Sequence, residues 1–356
     1  MRVSPRVAVP LAAAAVLASA GTAVAVTAGS AGSAGSAASR PNARTAGAAD
    51  TTAAGTADAA AAGSPKLVIG KNFADPEILK VGKTYYAYAT NTGGKNLPVA
   101  TAPSARGPWT LRGQDGLPKL GAWARTGKTW APDVSRRKDG KYLLYYAAAN
   151  KTLKHQCIGV AIASSPLGPF QPAAKPLVCK DPTNAKAKAE LIDPASYTEG
   201  NSRYLLYKVG YNGAKPWRPS YLVLHKVSAD GQRLTKSYKV ILRQKGEPYT
   251  VEAPDLVKRR GKYVLFYSAG VFSKDNYQTR YAIASKLSGP YAKGAKPMMT
   301  TAGFGRKIVG PGGADALYDG GAWRIIFHGA VTLSPLKRGM YEADLRWTKG
   351  GVPYVR

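Results

Sequence analysis

A motif returns along this chain about every 60 residues. ADPEILKVGKTYYAYAT runs from Ala74, APDVSRRKDGKYLLYYAA from Ala131 and IDPASYTEGNSRYLLYK from Ile192. APDLVKRRGKYVLFYSAG from Ala253 and ADALYDGGAWRIIFHGA from Ala314 complete the set. Anchored on Asp75, Asp133, Asp193, Asp255 and Asp315, the copies stand 58, 60, 62 and 60 residues apart. A fixed period of this size is the mark of a repeat architecture. Each copy is an acidic loop, then a turn, then a short apolar run such as YLLYYAA or YVLFYSA, which suits a strand buried on both faces. A further strand closes on Gly-Pro-aromatic at Trp109, Phe170 and Tyr291. Several strands per period, taken five times with almost no helical periodicity, predict an all-β, five-bladed β-propeller. A long sandwich would not explain the repeated order of acid, loop and strand.

The repeats account for residues 65–356, read as one propeller domain. Ahead of them, Arg2 and Arg6 precede a Val/Leu/Ala run that ends in Ala23-Val24-Ala25, the pattern of a secretory signal over residues 1–26. Residues 27–64 are Ala, Gly, Ser and Thr with little else and cannot bury a core, so they read as a disordered linker. The expected protein is secreted, monomeric and free of the membrane once its signal is removed. In an exported chain the two cysteines, Cys157 and Cys179, are expected to pair as a disulfide.

Formal net charge is +31. Arg2 and Arg6 belong to the signal, and Arg40 and Arg44 offset Asp50 and Asp58, which leaves +29 for the propeller. The excess Lys and Arg are spread over turns, a diffuse field with loose affinity for polyanions. The sequence holds no groove-reading element and no stacking platform, so nucleic acid is not an expected partner.

In a propeller the five acid loops converge at one end of the central channel. Clustered carboxylates raise one another's pKa and let one stay protonated near neutral pH. Glycoside hydrolysis needs such a set, one acid for the leaving oxygen and one base for water. Read alone, an Asp before Pro is a turn or cap residue. Asp133, Asp255 and Asp315 are read that way, as structural groups bonding loop backbone. Aligning the anchor aspartates sets Glu252 over both Trp130 and Glu190, each three residues ahead of its Asp.

Ala74-Asp75-Pro76, Trp130-Ala131-Pro132-Asp133-Val134, Ile192-Asp193-Pro194 and Val251-Glu252-Ala253-Pro254, in this order and spacing, resemble the landmark motifs of glycoside hydrolase family 43. These are arabinan- and xylan-degrading enzymes on a five-bladed propeller, and the resemblance runs from about Lys71 to the C-terminus. It implies Asp75 as general base, Glu252 as general acid and Asp193 as the carboxylate that holds up the acid's pKa. It implies an inverting displacement, with acid and base about 6.5–9.5 Å apart. Glu190 is left at the rim. The substrate would be a plant polysaccharide cut at α-L-arabinofuranosyl or β-D-xylosyl linkages.

The family usually has Gly where this chain has Ala253. Trp130 is expected to border the pocket and stack on sugar, with Trp217 as a further subsite residue. Trp109, Trp323 and Trp347 are expected in the core. No cofactor is required by this chemistry. The resemblance does suggest an axial calcium ion beside His328. A related fructan-acting family is disfavoured, because its Asn-Asp-Pro, Arg-Asp-Pro and Glu-Cys motifs are absent. The non-enzymatic alternative is a carbohydrate-binding propeller, which would have no reason to keep all three carboxylates.

Overall fold

The computed structural model describes residues 64–211 and 218–356. The expected signal, the linker up to residue 63 and Trp217 lie outside the described residues. The rest is built of strands, with no helix among the described residues. Blade I runs from Glu77 to Leu111, blade II from Ala124 to Pro172, blade III from Glu190 to Arg243 and blade IV from Val251 to Lys293. In each of these four blades the four strands lie in chain order and pair antiparallel. The first strands of all five blades meet one another in a ring that closes from blade V back to blade I. The chain is a five-bladed β-propeller.

Blade V is assembled from both ends of the described chain. Its strands Val309–Asp319, Ala322–Leu333 and Leu336–Trp347 are completed by Lys66–Ile69, which pairs with the third of them. Without that strand, Leu336–Trp347 would present an open edge along this stretch. Asn72 extends the clasp, its Oδ1 accepting from the Arg338 N–H.

Five apolar clusters fill the five seams between blades. Tyr88, Tyr146 and Leu144 lie between blades I and II, and Tyr145, Tyr207 and Leu205 between II and III. Tyr197, Leu265 and Tyr267 lie between III and IV, Phe266, Ile325 and Phe327 between IV and V, and Ile78, Ala87 and Ile326 between V and I. The near-continuous apolar runs of the second strands thus bury both faces, one in each adjoining seam. Burying a side chain such as Leu265 contributes about 1.5–3 kcal/mol. Phe170 and Tyr291, from the Gly-Pro-aromatic turns, are buried, and Trp109, Trp323 and Trp347 pack against the clusters as expected. Cys157 and Cys179 are joined by a disulfide.

The repeat has a register that the anchor aspartates misstate. Every blade has a residue with left-handed backbone at its first strand, just ahead of the strand in blade I and within it in the others: Asp75 (φ 52°), Ala131 (41°), Asp193 (54°), Ala253 (48°) and Gly313 (57°). The ladder with the second strand resumes two residues later, at Glu77, Asp133, Ala195, Asp255 and Asp315. Asp75 and Asp193 are therefore equivalent to Ala131, Ala253 and Gly313, and not to Asp133, Asp255 and Asp315. Trp130 and Glu252 do share a place in the ring, but Ile192 fills it in blade III, not Glu190.

The later aspartates are structural, as expected. Asp133 accepts the Ser196 N–H at 2.9 Å, Asp255 that of Ala316 at 2.9 Å and Asp315 that of Ile78 at 2.8 Å, each stitching one blade to the next.

Candidate active site

The left-handed kink turns each kinked residue's N–H out of its own ladder, where a neighbouring blade can take it. Asp75 donates to His328 Nδ1 at 3.1 Å, Ala131 to Thr90 Oγ1 at 2.9 Å, Ala253 to Asp193 Oδ2 at 2.8 Å and Gly313 to Ser268 Oγ at 2.9 Å. Buried backbone donors need such partners. Left-handed φ is also costly for any residue with a Cβ. Here Ala253 bears that cost. Asp75 and Asp193 both line a narrow channel of about 40 Å³ with Pro76, Pro132, Pro194 and Pro254, room for only a few waters.

Asp75 is surrounded by donors. Arg338 gives it Nη1 at 2.8 Å to Oδ1 and Nη2 at 3.3 Å to Oδ2, a forked charge-assisted contact. Thr90 donates to Oδ2 at 2.5 Å. Because Thr90 Oγ1 also accepts the Ala131 N–H, its own hydrogen is directed at Asp75. Burial works to raise the Asp75 pKa, but the Arg338 charge and these hydrogen bonds outweigh it and hold the carboxyl below its ordinary value.

The other two carboxylates lie on the blade III–IV side. Glu252 accepts Lys208 Nζ on Oε2 at 2.7 Å and the Tyr277 hydroxyl on Oε1 at 2.8 Å. Lys208 is 1% exposed. Burial disfavours its ammonium, but Glu252 and Asp193 more than compensate and hold its pKa above the ordinary value. Asp193 is pushed up to about 7, first by burial and then by the charge of Glu252, with Lys208 opposing. Tyr277 lies parallel to the His328 ring, 5.8 Å away, and so connects the two sides. It packs flat over Gly312, where a Cβ would meet its ring at 2.1 Å.

The structure thus brings Asp75, Asp193, Glu252 and His328 together. Trp130 is half-buried directly before the kink at Ala131, in the place that Glu252 takes in blade IV. His328 is fully buried, and burial together with Arg338 depresses its pKa to about 3, so the ring is neutral. Its Nδ1 lies 3.1 Å from the Asp75 nitrogen and its Nε2 3.4 Å from Arg338 Nη1, and a neutral ring can accept from only one of these two donors. With N–H donors facing both nitrogens and the Arg338 guanidinium alongside, His328 does not fit a calcium ligand in this arrangement. The site residues missed in the sequence are Arg338, Lys208, Tyr277 and Thr90. Only Lys208 left a signal, as a cation inside the otherwise apolar run YLLYKVG.

The model of glycosyl hydrolases family 43 matches residues 65–353. The chain belongs to glycosyl hydrolases family 43. Among its family-43 relatives is an extracellular endo-α-(1→5)-L-arabinanase of Thermotoga petrophila, 25% identical over 66% of this chain and 55% of the relative. A probable arabinan endo-1,5-α-L-arabinosidase A of Aspergillus flavus is 29% identical over 56% of this chain and 58% of the relative. The chain spans little more than half the length of these two relatives. Among solved structures, a thermostable family-43 glycoside hydrolase superposes with a TM-score of 0.69 at 24% identity, covering 80% of this chain and 93% of the other. An exo-1,5-α-L-arabinanase from a bovine ruminal metagenomic library superposes at 0.64 and 20% identity, covering 80% and 97%. At these identities the superpositions speak for the fold.

Proposed function

We propose that this family-43 chain is a secreted glycoside hydrolase that cuts α-L-arabinofuranosyl or β-D-xylosyl linkages of plant polysaccharide by a single inverting displacement. The observation that carries the reading is the contrast between two aspartates on one channel. Asp75 is kept ionised by Arg338, while Asp193 beside Glu252 binds a proton up to about pH 7. Pairs of carboxylates whose surroundings push their pKa values apart are how acid and base are assigned in such sites.

Asp75 acts as the general base, its Oδ atoms free to take a proton from water once Thr90 and Arg338 have oriented them. Glu252 acts as the general acid toward the leaving oxygen, aligned by Lys208 and Tyr277. Asp193 shares the acid side's proton. Asp193, beside Glu252, holds a proton up to about pH 7 and so keeps one in reserve on the acid side. The α-L-arabinofuranosyl alternative is supported by the names of the two relatives, and secretion by one of them being extracellular together with the signal pattern at residues 1–26.

The test is a panel of nitrophenyl α-L-arabinofuranoside, nitrophenyl β-D-xyloside, linear arabinan, arabinoxylan and xylan, with Glu252→Gln alongside. Release from one substrate, abolished in the variant, is the expected result, and nuclear magnetic resonance of the first product shows whether the anomeric centre is inverted. Binding without release from any of them would instead favour a sugar-binding propeller.

A further inference from the structure

A cavity of about 370 Å³ opens at the seam of blades IV and V, lined in part by Pro248, Asp275, Asn276, Tyr277, Gln278 and Arg306. Its volume falls within the range of about 300–1,000 Å³ usual for small-molecule sites. It lies at the same end of the blade as Glu252. Ala269 pairs with both Val251 and Gln278, so the loop 270–277 leaves the sheet beside the acid. That loop touches both places. Phe272, 50% exposed, lies with its ring 5.2 Å from the guanidinium of Arg338, which holds Asp75. Five residues on, Tyr277 forms a wall of the cavity while its hydroxyl reaches Glu252.

The chemistry of the walls suits a sugar. Asn276 and Gln278 each offer an amide that donates and accepts, matched to hydroxyl groups. Asp275 and Arg306 are paired at 3.2 Å and remain 55% and 70% exposed, so they can bind hydroxyls while their charges cancel. A wall of zero net charge favours a neutral polyol over an acidic sugar. At the rim, next to Pro248, Tyr249 is 65% exposed and held at φ 55°, a left-handed backbone that bulky residues seldom adopt. Its aromatic face is available to an apolar sugar face.

We propose that this cavity is a second saccharide subsite, which holds a neutral sugar unit of the same polymer whose scissile bond lies at the carboxylates, with Phe272 and Tyr249 as flanking platforms. The inference rests on the hydrolase reading above, and its test separates the two. Tyr249→Ala and Arg306→Ala are compared with the wild type on whichever of linear arabinan or xylan it cuts, and on the matching nitrophenyl glycoside. Both side chains are exposed, so the fold is not at stake. The expected result is a KM for polymer at least fivefold higher in each variant, with kcat and nitrophenyl glycoside turnover within twofold of wild type. Unchanged KM on polymer in both variants would overturn the subsite. Should the wild type cut neither polymer, calorimetry with arabinotetraose and xylotetraose decides the cavity, and the hydrolase reading itself fails only if the nitrophenyl glycosides and arabinoxylan are also left uncut. Tetraose binding weakened at least fivefold by the variants upholds it, and binding that is absent or unaffected sinks it.

Discussion

Asp75 and Asp193 occupy the same place in blades I and III, with the same left-handed backbone and the same proline after them, and both line one channel. Burial pushes the pKa of each upward. Yet Asp75 ends below its ordinary value and Asp193 near 7. What differs is the neighbour. Arg338 forks onto Asp75 from blade V, whereas Asp193 faces the charge of Glu252 from blade IV with Lys208, itself bonded to Glu252, and the Ala253 N–H to offset it. A symmetric scaffold supplies equal positions, and the strands packed against each position keep one ionised and leave the other holding a proton.

The two sides separate most sharply when each proposed catalytic group is removed. Asp75→Asn and Glu252→Gln are each expected to lower kcat about 10³-fold, the scale of a lost general base or acid. Their effects on stability should differ. Asp75→Asn leaves behind Arg338, whose side chain is 14% exposed, while Glu252→Gln takes the bonded partner from Lys208, which is 1% exposed. A buried charge that loses its partner is strongly destabilising. Calorimetric melting should therefore show the larger fall in Tm for Glu252→Gln, and equal falls would mean that Asp193 alone can neutralise Lys208.

The next contrast is in pH dependence. Arg338→Met removes the strongest group opposing burial at Asp75, so the proposed base's pKa rises and the acid limb of the kcat/KM profile moves to higher pH. A loss of at least tenfold at pH 5, narrowing by pH 7, is expected, whereas a uniform loss would assign Arg338 to substrate contact alone. Asp193→Asn acts at the opposite end. The folded pKa of Asp193 lies above its ordinary 3.8, so folding binds its proton more tightly and stability falls as pH rises between about 4 and 7. Asparagine can still accept the Ala253 N–H and does not ionise. The variant should lose the alkaline limb near pH 7, and gain about 2–4 °C in Tm at pH 8, roughly the effect of 1 kcal/mol, with no gain at pH 4.

Much of this was legible in the sequence. The 60-residue period and the apolar second strands gave the propeller because both faces of those strands are buried, which leaves a continuous run. The motifs Ala74-Asp75-Pro76, Ile192-Asp193-Pro194 and Glu252-Ala253-Pro254 led to three carboxylates that the structure brings to one end of the channel. The register did not follow from the letters, because Asp serves two purposes two residues apart. At the kink it faces the channel, and two residues later it stitches blades through Ser196, Ala316 or Ile78. Arg338 was illegible for a different reason. It meets Asp75 across the closure of the ring, 263 residues away, and nothing in SPLKRGMY marks it as a partner.

The comparison of equivalent positions extends to the residues that carry no charge. Ala253 and Gly313 hold the same kink at φ 48° and 57°, and each gives its N–H to the preceding blade. At Gly313 an added Cβ would meet His328 Nδ1 at 2.7 Å, so glycine is required there by space as well as by φ. At Ala253 the methyl is already accommodated and only the backbone cost remains, about 1–2 kcal/mol for a left-handed residue with a Cβ. Against this, glycine adds about 0.4–1 kcal/mol of unfolded-chain entropy. Ala253→Gly should therefore raise Tm by about 2 °C and leave kcat within twofold, since Asp193 still receives the N–H beside Glu252. A fall in Tm would mean that the Ala253 methyl contributes packing worth more than the strain it causes. A change in kcat beyond twofold would mean that Ala253, by stiffening the kink, helps to aim Glu252.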